Sequence, residues 1–142
     1  MGDITVTAAD VRLANAQQCI TRNMKANATM TVGDFVSRDA SGYAVKADAD
    51  VLEATARAVG VIVETKDGET AVVSGDQISV CVFGPVEGFS SMTPGANAYV
   101  SKTAGKIDHT KPTGGAYQQA VGRAESATCL FVNPVLADPS SV

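Results

Sequence analysis

A chain of 142 residues with a net charge of −4 is long enough to bury a proper core as one domain, so no structural metal or disulfide is required to hold it. Hydrophobic residues make up 45%, aromatics only 5%, and 13 glycines punctuate the chain, which predicts a light core of small side chains rich in Ala and Val. No stretch approaches the ~18 apolar residues of a membrane span, and no basic stripe with interleaved aromatics points to nucleic acid.

The start, MGDITVTAADVRL, has no basic segment followed by an apolar one, so no signal peptide is legible and the chain is expected to be made in the cytoplasm and to stay soluble. Residues 1–28 are polar and weakly periodic, with Asn15, Gln17, Gln18, Asn23 and Asn27. They predict an extended N-terminal arm with a strand near Cys19–Met24. The remainder, 29–142, reads as a single β domain.

After the turn pair Gly33-Asp34, the run from Phe35 to Arg38, the turn Asp39–Gly42 and the return Tyr43-Ala44-Val45 predict a hairpin. Residues 48–57 are a candidate for one short helix, with Asp48 as N-cap and Leu52, Ala56 and Val59 on one face; an irregular loop is the alternative. Val59–Glu64 is β-branched and ends at Asp67-Gly68, a strong hairpin turn that predicts pairing back through Thr70–Ser74. Gln77–Phe83 alternates, with Ile78, Val80 and Val82 on one face and Ser79, Cys81 and Phe83 on the other, and Gly84-Pro85 is expected to stop it. Strands are then predicted at Ala98–Lys102, Lys106–Asp108, Ala116–Arg123 and Ala127–Val132. Short strands with turns every 8–12 residues belong to a sandwich or barrel.

The chain also repeats itself. MTVGDFVSRDASG at 30–42 and MTPGANAYVSKTAG at 92–105 share Met-Thr-x-Gly, an aromatic-Val-Ser-basic run and a closing Gly, and each is followed by Ala-Val-Gly. The offset is 62 at Met30/Met92, 64 at Val36/Val100, 63 at Gly42/Gly105 and 62 at Gly60/Gly122. That drift is what small loop insertions do to a duplicated strand-turn module, with halves at about 30–64 and 92–126. Gly60 and Gly122, inside strand-like runs, are expected to mark bulges or close backbone contacts.

Charge is placed unevenly: residues 48–87 carry two Lys/Arg against eight Asp/Glu, while the flanks are near balance. Solvated loops account for this, and an outward acidic face limiting self-association is the functional counterpart.

Chemistry-bearing constellations are thin. The single histidine, His109, lies in a polar loop without a nucleophile elbow nearby. Asp48, Asp50 and Glu53 lack the Gly and the closing acid of a calcium loop. Gly84, Gly88 and Gly95 do not lead into a helix and cannot form a phosphate cradle, so they are read as turn glycines. Cys19, Cys81 and Cys129 are odd in number and far apart in sequence, and Cys81 and Cys129 sit in apolar runs where a reduced, buried thiol is expected. Lys46 sits beside a hairpin without the flanking residues of a lipoyl or biotin carrier motif. No catalytic, cofactor-binding or metal-ligating residue is therefore assigned, and the protein is read as not an enzyme.

The order Gly-Asp-x-Val, Ala-Val-Gly-Val-Ile-Val, Ser-Gly-Asp-Gln-Ile-Ser-Val, Thr-Pro-Gly-Ala-x-Ala-Tyr-Val and a late Ala-Val-Gly-Arg-Ala resembles the small capsid decoration, or cement, proteins of tailed bacteriophages over residues 28–133. The resemblance implies a compact β-barrel or β-tulip body and an N-terminal arm reaching across neighbouring capsomers. It further implies homotrimers on the exterior of an expanded phage head, bound to the major capsid protein. Two other functions are kept in view: a head-fibre or tail-associated host-contact domain, for which Tyr43, Phe89, Tyr99 and Tyr117 are the aromatics available for stacking on sugars, and a carrier or small enzyme domain.

Overall fold

A computed structural model describes residues 3–50, 57–113, 117–134 and 140–141. The chain is mainly β, in a strongly curled sheet that gives a barrel-like body, as the turn spacing predicted. In the first half lie β1 (Thr5–Val6), β2 (Arg12–Leu13), β3 (Ile20–Lys25), β4 (Met30–Thr31), β5 (Phe35–Arg38), β6 (Ala44–Lys46), β7 (Gly60–Thr65) and β8 (Ala71–Val72). There follow β9 (Gln77–Glu87), β10 (Phe89–Ser90), β11 (Asn97–Val100), β12 (Ile107–Asp108), β13 (Tyr117–Gln118), β14 (Ala120–Ala124), β15 (Cys129–Val132) and β16 (Ser140–Ser141). Single 3-10 turns stand at Ala8–Asp10 and Ala16–Gln18.

The long strand β9 organises everything else. Its first half lies between β3 and β7, and its second half between β2 and β15. Outward from β9 the order is β7-β5-β6 on one side and β15-β14-β11-β12 on the other, all antiparallel. Each wing curls until its outer strand meets the N-terminal segment: Ala26 bridges Ala44 of β6, and the Ile4 N–H donates to the Ile107 carbonyl of β12 (2.8 Å). Phe35, Val36, Val61, Ile62, Val80, Val100, Ile107, Leu130 and Val132 are buried inside, the small-residue core the composition predicted.

The two repeat-like runs carry matching backbone hydrogen bonds. Gly33 donates to the Ile62 carbonyl and Gly95 to that of Ala124, and the Ile62 and Ala124 amides donate back to Asp34 and Ala96. Val36 pairs with Gly60 as Ala98 pairs with Gly122. All of these hold at an offset of 62, so the partner of Val36 is Ala98, not Val100 as sequence matching had it. One extra residue then enters before Gly105, since Ala44 and Ile107 are equivalent in the next strand.

Three expectations are corrected. Gly84-Pro85 does not stop a strand: Gly84 takes φ +122 and the strand bends and continues to Glu87. Pro85 has no N–H to offer, but its carbonyl accepts from Ala14 (2.9 Å), so the ladder survives the bend. Thr70–Ser74 does not pair back on β7, because both edges of β7 are taken by β5 and β9; β8 pairs with β4 instead. Residues 3–27 are extended, yet they lie along the body rather than reaching from it, with Ile4, Val11, Met24 and Ala26 in the core. The candidate helix at 48–57 falls largely on residues 51–56, outside the described residues; before it, Asp48 Oδ1 accepts from the Asp50 amide (2.9 Å) in a turn.

Candidate functional site

The groups most suggestive of chemistry turn out to hold turns. The Thr31 amide donates to Asp34 Oδ2 (3.0 Å) and the Val73 amide to Asp76 Oδ2 (2.9 Å), each across a turn with a left-handed glycine, Gly33 or Gly75. The turn Thr93–Ala96 has the same backbone bond but Ala96 carries no carboxylate. His109 supplies the missing acceptor: its Nε2 takes the Thr93 N–H (3.0 Å) while its Nδ1 donates to the Asn97 carbonyl (2.8 Å). An amide can only donate and a carbonyl only accept, so the tautomer follows and both ring nitrogens are occupied.

The remaining candidates are equally structural. Among the described residues no group of three or more His, Cys, Asp or Glu side chains is arranged to hold a metal. Asp34 is buried and forms an ion pair with half-exposed Lys106 (3.4 Å), joining the two modules. Asp39 caps the β5–β6 turn, accepting from Ser41 (2.9 Å), Tyr43 (3.0 Å) and the Asn27 side chain (2.6 Å). The Asn27 bond, followed by that from the Tyr43 amide, lowers its carboxyl below the ordinary 3.8. Lys46 closes β6 opposite Val36 rather than standing at a turn tip.

Gly84 and Gly88 do more than turn the chain. A β-carbon on Gly84 would fall 2.7 Å from Cys19 Sγ, and one on Gly88 2.6 Å from the Val11 Cα, so these glycines let the N-terminal segment lie directly on β9. Gly60 and Gly122 face the Cys81 and Phe131 carbonyl oxygens in the same way, the close backbone contact their positions predicted. Cys81 is buried and Cys19 and Cys129 half-buried, all as free thiols. Burial first of all pushes the Cys81 and Cys129 thiols up to about 12, aided at Cys129 by the hydrogen bond to Glu125 and the nearby Glu87 charge.

What remains is a face. Ile20 (55% exposed) pairs across the strands with Phe83 (38% exposed), and Phe83 meets Phe131 edge-on at 5.1 Å. Phe131 in turn lies opposite Arg123, whose Nε donates to Asn97 Oδ1 (3.2 Å). Side chains from β3, β9, β15, β14 and β11 thus form one outward row, apolar at one end and polar at the other, beside a groove lined by Ala120, Gly122, Arg123 and Phe131. Sequence reasoning placed Phe83 on the face opposite Ile78 and Val80 but did not see its partners, because Ile20 and Phe131 lie 63 residues before it and 48 after it.

The aromatics considered for sugar stacking are less available. Phe89 is buried, Tyr43 has the Lys25 ammonium 5.2 Å from its ring centre, Tyr99 has Lys111 at 5.7 Å, and Tyr117 is half-buried. No protein-family model matches the chain, and no curated protein matches it either.

Proposed function

We propose that this protein is a non-enzymatic virion structural protein that binds the exterior of an expanded phage head and stabilises it by bridging subunits of the major capsid protein. The observation that carries the reading is the outward row Ile20–Phe83–Phe131–Arg123, a strip across four strands in which Ile20 and Phe83 stand exposed to solvent beside Phe131. Such patches mark contact surfaces, since a folded chain gains nothing by leaving them wet. The resemblance over residues 28–133 supports the same conclusion and adds a homotrimeric state. A clip that binds only the expanded shell stabilises that state by mass action, and many copies make modest contacts sufficient.

The test is to mix purified protein with expanded, undecorated heads and to count bound copies by sedimentation and densitometry. Saturation at the number of local threefold sites is expected, with Ile20→Ser and Phe83→Ser together weakening binding by about tenfold or more. A few copies per particle would instead favour a fibre or tail component, and absence of binding would sink the proposal.

A further inference from the structure

The three cysteines, scattered in sequence, converge around the bend of β9. Cys19 Sγ donates to the Pro85 carbonyl (3.3 Å), and Cys81 Sγ donates to the Phe83 carbonyl (3.4 Å), so both sulfurs sit on one three-residue stretch of backbone. The strand register explains the first contact: Ile20 pairs with Phe83 and Thr21 with Cys81, with a bulge between, so Cys19 continues the strand past Phe83 and lies against Gly84. Gly84 leaves the space that the Cys19 sulfur occupies. Cys19 is also the neighbouring thiol that interacts electrostatically with Cys81. Cys129 is engaged elsewhere, with its thiol directed to Glu125 Oε1 (3.5 Å) and only a longer-range interaction with Cys19.

We propose that Cys19 and Cys81 form a redox-sensitive staple, closed by a small disulfide such as oxidised glutathione, that fastens the N-terminal segment to β9. The more accessible Cys19 thiolate attacks one sulfur of the oxidant, giving a mixed disulfide and releasing one glutathione thiolate, which takes up a proton. Cys81 then loses its proton to solvent and attacks Cys19 Sγ, forming the protein disulfide and expelling the second glutathione. Two protein thiols are oxidised and one small disulfide is reduced to two thiols, so electrons and atoms balance. Burial opposes ionisation of Cys81, which makes the second step the slow one and accelerates it as pH rises.

Closing the staple ties the segment that carries Ile4, Val11, Met24 and Ala26 to the central strand through a covalent loop from 19 to 81. Fraying of that segment is the opening most readily suppressed by such a loop, because the cross-link removes the unfolded conformations in which it has departed. The bond would therefore favour the closed body in an oxidising medium.

The experiment uses the full reduced chain, incubated with oxidised glutathione at mildly alkaline pH, then alkylated under denaturing conditions and mapped by peptide mass spectrometry. The expected result is a Cys19–Cys81 cross-linked peptide with Cys129 alkylated, together with an upward shift of the unfolding midpoint that disappears on reduction. Cys129→Ala should give the same cross-link, and Cys19→Ser should leave Cys81 reduced. A Cys19–Cys129 bond, a glutathione cap that stays on Cys19, a disulfide-linked dimer or three alkylated cysteines would each overturn the proposal.

Discussion

Gly60 and Gly122 occupy the same place in two copies of one module: each lies in the strand that leaves the module, with its Cα against a carbonyl oxygen of the next strand, Cys81 for one and Phe131 for the other. Neither has a left-handed φ, so the requirement is for space and not for backbone freedom. Gly60→Ala and Gly122→Ala should each destabilise the fold by about 1–3 kcal/mol, because the added methyl forces two paired strands apart. Gly95→Ala meets no neighbouring atom and should cost only the strain of its left-handed φ, about 1–2 kcal/mol. Urea unfolding of the three variants measures this, and because Gly95 sits in the matching turn of the second copy it serves as an internal control.

Gln119 joins the modules by acting as a substitute strand. Its Oε1 accepts from the Ala58 amide (2.7 Å) and its Nε2 donates to the Ala58 carbonyl (3.1 Å), both in a buried setting. Gln119→Leu removes both partners while keeping the bulk, leaving two buried backbone groups unpaired. A loss of about 2–4 kcal/mol is expected, read from the shift in denaturation midpoint at unchanged slope.

Ser37 presents the opposite case. Its hydroxyl is buried with no hydrogen-bond partner, so it was desolvated on folding with nothing in return. Ser37→Ala should therefore stabilise the protein, by about 1 kcal/mol in the same unfolding assay.

Asp39 predicts an acid dependence. Its folded carboxyl lies below the unfolded 3.8, held there by Asn27 and the Tyr43 amide, so its contribution is present above that value and is lost as pH falls through the lower folded one. NMR titration of the Asp39 carboxyl should show a depressed midpoint, with hydrogen-exchange protection of the Ser41 and Tyr43 amides falling in the same range. Asp39→Asn should abolish this acid step.

Deletion of residues 1–28 is a sharper probe than the arm picture suggested. It removes β1, β2 and β3 and takes Ile4, Val11, Met24 and Ala26 out of the core, while uncovering both halves of β9. Loss of the cooperative thermal transition is expected by circular dichroism, together with aggregation on sizing columns. A folded, monodisperse truncation would show that the segment is dispensable to the body.

Much of this architecture was legible in the residues. Alternation in Gln77–Phe83, glycines at left-handed turns and short strands at close spacing announced a barrel-like β fold, because period-2 patterning and turn chemistry are local properties of a chain. The glycine at 60 and its counterpart at 122 announced close backbone contact for the same reason.

Tertiary structure alone decided the rest. Whether Gly84-Pro85 ended a strand depended on an N-terminal segment some seventy residues away that takes up the Pro85 carbonyl, and whether residues 3–27 were an arm depended on how much apolar surface β9 left for them. His109 caps a turn in which Ala96, unlike Asp34 and Asp76 at the matching places, brings no carboxylate. Cys19 met Gly84, Ile20 met Phe83, and Phe83 met Phe131 over long sequence separations. A sequence encodes its periodicities residue by residue, but these encounters follow from closing the sheet, where each strand takes the edge that its neighbours leave open.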